Sequence, residues 1–96
     1  MGPESKSPTP YHIELKPSAR GSLAKIPQPH RQRIATKIDR LAENPRPRGV
    51  EKLAGKTPLY RVRVGDYRVI YEIQDAVLLV LVVRIGGRGD VYRNLP

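Results

Sequence analysis

Leu59-Tyr60-Arg61-Val62-Arg63-Val64-Gly65-Asp66-Tyr67-Arg68-Val69-Ile70-Tyr71, followed by Val82-Val83-Arg84-Ile85-Gly86-Gly87-Arg88-Gly89-Asp90-Val91-Tyr92-Arg93, decides the fold of this 96-residue chain. Arginines recur at two-residue spacing, interleaved with tyrosines and aliphatic residues. In a strand, alternate side chains share a face. Arg61 and Arg63 therefore project together, while Tyr60, Val62 and Val64 point the other way. Gly65-Asp66 between the two runs suits a two-residue type II′ hairpin loop, because glycine tolerates the positive φ of its first position. A sheet face that keeps arginines together is either a solvated surface or a site built for phosphate, and the sequence favours the second.

Working outward, Val77 to Ile85 is nearly all apolar and is expected to be a central strand buried on both faces. Gly86 to Asp90 then reads as a flexible loop. Upstream, Tyr11-His12-Ile13-Glu14-Leu15 alternates as a first strand. Pro17-Ser18 opens a short helix with Ala19, Leu23 and Ile26 on one face. Pro29 suits the first turn of a second helix, whose stripe is Ile34, Ile38, Leu41 and Ala42. Asn44-Pro45 stops it, and Pro45 to Pro58 reads as loop. The expected architecture is α+β: an N-terminal strand, a helical hairpin, then three antiparallel strands completing a four-stranded sheet. Two helices cover one face of such a sheet. Parity assigns Tyr60, Val62, Val64, Tyr67, Val69, Tyr71 and Ile73 to the covered face. It leaves Arg61, Arg63, Arg68 and Ile70 on the open one, with Leu78, Val80, Val82 and Arg84.

Composition limits the classes of function. The length suits one domain, residues 11–96, behind a proline- and serine-rich tail at 1–10 that reads as disordered and carries no secretory signal. There are no cysteines, which excludes disulfides and thiolate metal sites and fits a reducing cytoplasm. The longest apolar run, Ala76 to Val83, is too short to span a bilayer, and no membrane partner is expected. Net charge is +9, and residues 16–56 carry eleven Lys or Arg against three acids. That excess implies an anionic partner. Beyond Lys56 every cation is an arginine, whose planar fork grips phosphate bidentately. On the second helix Arg31, Arg33, Lys37 and Arg40 lie mostly off the apolar stripe and, with Lys52 and Arg93, form the candidate RNA-backbone contacts. His12 and His30 stand apart from carboxylates at ligand spacing, so neither a metal nor a cofactor is expected. Gly86-Gly87 lacks the spacing and the following lysine of a phosphate loop.

The quoted runs, with Ile13-Glu14-Leu15-Lys16-Pro17-Ser18-Ala19 and Lys52-Leu53-Ala54-Gly55, resemble the RelE group of bacterial and archaeal toxins over about residues 11–93. The resemblance implies a toxin of a type II toxin–antitoxin system. Such a toxin is a ribosome-dependent endoribonuclease that cuts mRNA in the A site and is silenced by a cognate antitoxin. In that chemistry the ribose 2′-OH attacks the adjacent phosphate, which needs a base, an acid and cations but no metal. Carried over by position, Arg61 and Arg63 fall on basic strand residues, often lysines in the family, and Arg68 on the phosphate-binding arginine. Arg88 falls on the general acid or leaving-group stabiliser, and Tyr92 on the tyrosine that stacks on a base. The chain departs from the pattern in two respects. Gly87 stands where a His or Lys is common. Arg61 and Arg63 cannot serve as ordinary bases, since arginine titrates above about 12; proton abstraction would fall to Tyr92, the ribosome or water. The alternatives are a ParE-like gyrase poison of the same fold, or a weakened member that mainly binds antitoxin and, through that complex, operator DNA.

Overall fold

The structure, a computed structural model, describes residues 10–87; Arg88, Tyr92 and Arg93 lie outside the described residues. Strand β1 (His12–Leu15) leads into helices α1 (Pro17–Lys25) and α2 (Gln28–Leu41). A two-residue strand β2 (Glu51–Lys52) follows, then β3 (Leu59–Val64), β4 (Tyr67–Gln74), a 3₁₀ turn at Asp75–Val77 and β5 (Leu79–Gly87). The sheet runs in the order β1-β5-β4-β3-β2, with β1 parallel to β5 and the other pairs antiparallel.

Local sequence accounts for the helices. Pro17 and Pro29 sit in the first turns of α1 and α2, where a missing N–H costs nothing. Ile34, Ile38 and Leu41 recur at helical spacing, and all three are buried. They join Val62, Val69, Tyr71, Ile73, Val80, Val82 and Ile85 in the core between helices and sheet. The expected parity of β3 and β4 therefore holds. Gly65 has φ +61° and Asp66 is not among the residues of positive φ, as a type II′ loop requires.

Three expectations need correction. The sheet has five strands, because Glu51 and Lys52, inside the segment read as loop, pair with Arg61 and Tyr60. A strand of two residues leaves no alternation to read. Second, Val80 and Val82 face the helices rather than the open side with Arg84. Opposite Ile70 and Tyr71, β5 contributes Val82, Val83 and Arg84, so one extra residue enters the strand as a β-bulge. The bulge resets the parity: Val83 joins Leu59 and Ile70 in a small cluster on the open face, while Ile85 returns to the main core. Third, the last strand begins and ends two residues later than expected. Leu78 sits in the turn at φ 51°. Gly86 and Gly87 are paired strand residues, opposite Arg68 and Tyr67, because β4 begins at Tyr67 and supplies partners that far.

A polar clasp ties the far end of the sheet. Arg46 donates from Nη1 and Nη2 to the two carboxylate oxygens of Asp75 at 3.2 and 2.9 Å, and the Tyr11 hydroxyl donates to the same group at 2.5 Å. The Arg46 guanidinium lies 5.4 Å from the centroid of the Tyr60 ring. Tyr71, fully buried, donates its hydroxyl to the Pro45 carbonyl at 2.7 Å. Burial pushes that phenol well above its ordinary range. Hydrogen bonds from Arg46 and then Tyr11 hold the Asp75 carboxyl at about 2. The clasp meets β3 at Tyr60, which packs with the helix-covered core, whereas Arg61 and Arg63 have the opposite parity.

Candidate functional site

Register builds the site. On the open face Arg63 stands directly opposite Arg68, and the next residue across, on β5, is Gly86. One step along the strands, Glu51, Arg61, Ile70 and Arg84 form the neighbouring cross-strand row. Like charges directly opposite in an antiparallel pair are destabilising, by a few tenths to about 1 kcal/mol. Here the register sets two arginines directly opposite each other and places a residue without a side chain next in the row. An anion bound between Arg63 and Arg68 would turn that repulsion into attraction.

β2 pairs with β3 only at Tyr60 and Arg61, so Val62 to Val64 form the margin of the sheet on that side. Against this margin lies α2. Arg33, Lys37 and Arg40 fall at i, i+4 and i+7, a spacing that puts them on one stripe. They line a groove closed on its other side by Arg63 and Val64. A second groove, lined by Lys37, Arg48, Glu51, Arg61 and Arg63, continues it along β3. Lys37 and Arg63 belong to both, so the two form one cationic channel running over the sheet margin. Arg33 also reaches the hairpin. A Cβ at Gly65 would lie 3.3 Å from its Nη2, so the turn carries a glycine both for its φ and for this approach.

The candidate residues thus divide. Arg33, Lys37, Arg40, Arg61 and Arg63 converge on the channel, and Arg68 adjoins it through its pairing with Arg63. Arg31 does not: its Nη1 donates to the Ala24 carbonyl at 3.2 Å, joining α2 to the end of α1. Lys52 shares the parity of Tyr60, opposite to that of Arg61, and is exposed at the sheet edge. His30 packs against the Tyr67 ring at 5.5 Å between centroids. Arg48 and Glu51 line the channel and were not singled out from sequence. Glu51 accepts from Arg61 Nη2 in an ion pair across β2 and β3. Only the pairing of a two-residue strand brings them there; the available signal was a lone acid within a basic stretch. Among the described residues no group of three His, Cys, Asp or Glu is placed to hold a metal ion. No helix there is long and apolar enough to cross a membrane.

The family model for the ParE toxin of the type II toxin–antitoxin system parDE matches residues 13–92. The chain belongs to the RelE/ParE toxin family. Among curated members of the family, Toxin RelG of Mycobacterium tuberculosis is 32% identical over 92 residues, covering 88% of this chain and 99% of the relative. Toxin RelE of the same organism is 30% identical over 92 residues, covering 91% of each. Among solved structures, the archaeal RelE–RelB complex of Pyrococcus horikoshii OT3 contains a chain that matches with a TM-score of 0.74 at 32% identity. That match covers 82% of this chain and 96% of the other. The RelE/ParE assignment and the α+β fold expected from the arginine-bearing hairpin therefore both hold.

Proposed function

We propose that this family member is a ribosome-dependent endoribonuclease that cuts mRNA in the A site and is held inactive by a cognate antitoxin. The observation that carries the reading is the Arg63–Arg68 pair: two opposed cations, with Gly86 beside them, at the mouth of a channel whose walls are cationic. That arrangement supports a bound phosphodiester. The α2 cations would track the backbone of RNA, and Arg63 and Arg68 would hold the scissile phosphate as the 2′-OH attacks. Charge developing on the phosphoryl oxygens is then stabilised by preorganised guanidinium groups. Arg88 is assigned to the leaving 5′-oxygen and Tyr92 to stacking on a base, with Arg93 and Lys52 as outlying backbone contacts. The nucleophile belongs to the substrate, so this chemistry calls for no metal.

The relative from Pyrococcus horikoshii was solved as a RelE–RelB complex, which supports an antitoxin partner here. Contact with operator DNA would come through that complex. Among the described residues no heavy atom lies within 4 Å of where a Cβ at Gly87 would sit, and its φ is not in the left-handed region. The backbone therefore does not enforce glycine there.

The decisive experiment maps mRNA 5′ ends after adding the purified protein to a bacterial translation extract, beside Arg88→Ala and ribosome-free controls. Cuts confined to the A-site codon, lost without ribosomes and lost in the variant, are expected. Intact mRNA, together with blocked supercoiling by gyrase, would replace this reading with a gyrase poison.

A further inference from the structure

Arg61, Arg63 and Arg68 on the open face can neutralise a phosphate, but none can take the 2′-OH proton, because arginine remains protonated at any accessible pH. The channel nevertheless contains a carboxylate. Glu51 is the acid among its lining residues, and it stands directly opposite Arg61 in the row next to Arg63 and Arg68. Resting on the endoribonuclease reading, we infer that Glu51 is the general base of the reaction and that Arg61 positions it.

The two partners are buried unequally. The Arg61 side chain is only 15% exposed, whereas that of Glu51 is 59% exposed. Arg61 is packed down on the sheet and cannot swing far; it anchors Oε1 through Nη2. The carboxylate is thereby fixed in orientation while its other oxygen, Oε2, lies on a group that solvent and ligand can reach. Diagonal neighbours on one face of an antiparallel pair lie about 7–8 Å apart, within the reach of long side chains. Glu51 and Arg63 stand in that diagonal relation and line the same groove, so we place the ribose next to a phosphate on Arg63 beside Glu51. A surface ion pair contributes only about 0–1 kcal/mol to stability, so stability alone gives little reason for an acid in this channel.

The step balances without a co-reactant. Oε2 takes the proton of the 2′-OH as the O2′–P bond forms. The P–O5′ bond breaks, and the 5′-oxygen leaves with a proton drawn from solvent. Glu51 then returns its proton to solvent, leaving a 2′,3′-cyclic phosphate and a 5′-OH.

The test is single-turnover cleavage of ribosome-bound mRNA by the wild type, Glu51→Gln and Glu51→Asp across a pH series, with RNA affinity and thermal unfolding measured on each. Gln keeps an acceptor for Arg61 but is not a base. Its rate is expected to fall about 100-fold or more, with affinity and folding retained and the rise of rate with pH lost. Asp, a shorter carboxylate, should recover part of the rate and the pH dependence. Glu51→Gln cleaving within about threefold of wild type, with an unchanged pH profile, overturns the role of Glu51 alone. Wild type that cuts nothing on ribosomes overturns the endoribonuclease reading and this role with it.

Discussion

Removing the α2 stripe should change how RNA binding responds to salt before it changes anything else. The channel walls carry five cations outside the Glu51–Arg61 pair: Arg33, Lys37, Arg40, Arg48 and Arg63. For single strands each neutralised phosphate contributes about −0.7 to the slope of log affinity against log salt, giving about −3.5 for the wild type. Raising salt from about 50 to about 200 mM should then weaken binding roughly 130-fold. The triple variant Arg33→Gln, Lys37→Gln, Arg40→Gln keeps two of the five, so its slope should be about −1.4 and its loss roughly 7-fold over the same interval. These three side chains belong to the exposed or half-exposed flank of α2 and not to the Ile34, Ile38, Leu41 stripe, so the fold should survive. The assay is fluorescence anisotropy of a short labelled single-stranded RNA with 2′-O-methyl riboses, which cannot be cleaved by 2′-OH attack. A triple-variant slope within about 0.5 of the wild type would refute the channel as the backbone track, since three contacts should remove about 2.

Two further outcomes concern the scaffold. Ile34→Ala, at a position with no solvent exposure, should cost about 2–5 kcal/mol by urea unfolding, and a loss under about 1 kcal/mol would contradict the packing of α2 on the sheet. Asp75 is held at about 2, below its ordinary value, by Arg46 and Tyr11; its contribution is complete above the ordinary carboxylate range and is lost as pH falls through about 2. Wild type should accordingly lose more thermal stability between neutral pH and pH about 2 than Asp75→Asn does, and equal losses would remove the clasp from the acid response.

The hairpin was legible because β3 and β4 each obey one parity from end to end. Tyr60, Val62 and Val64, like Val69, Tyr71 and Ile73, pack with the helices, and the arginines between them face outward. The last strand was legible in kind but not in facing. An extra residue at Val83 reverses the alternation halfway along, and a run of aliphatic residues offers no polar marker to reveal it. The site was legible as a set of cations and not as a place. Charge on α2 signals an anionic partner, but only packing shows that Arg33, Lys37 and Arg40 border the β3 margin while Arg31 turns back to Ala24. Glu51 escaped notice because its meaning lies in its partner ten residues away.

The parallel pairing of β1 with β5 sets an order of events during synthesis. The first strand made must wait for the last, since His12 pairs with Leu79 and Leu15 with Val82, and α1 packs chiefly against that same strand. The arginine-bearing hairpin closes locally and early, as short-range contacts do. A chain that stops before β5 therefore displays the cationic face but lacks the strand that seats α1 and β1. Such a fragment exposes apolar surface and unpaired strand edges, the features that promote aggregation. Synthesis of β5 is thus the condition for assembling the domain, since it alone brings β1 and α1 into place.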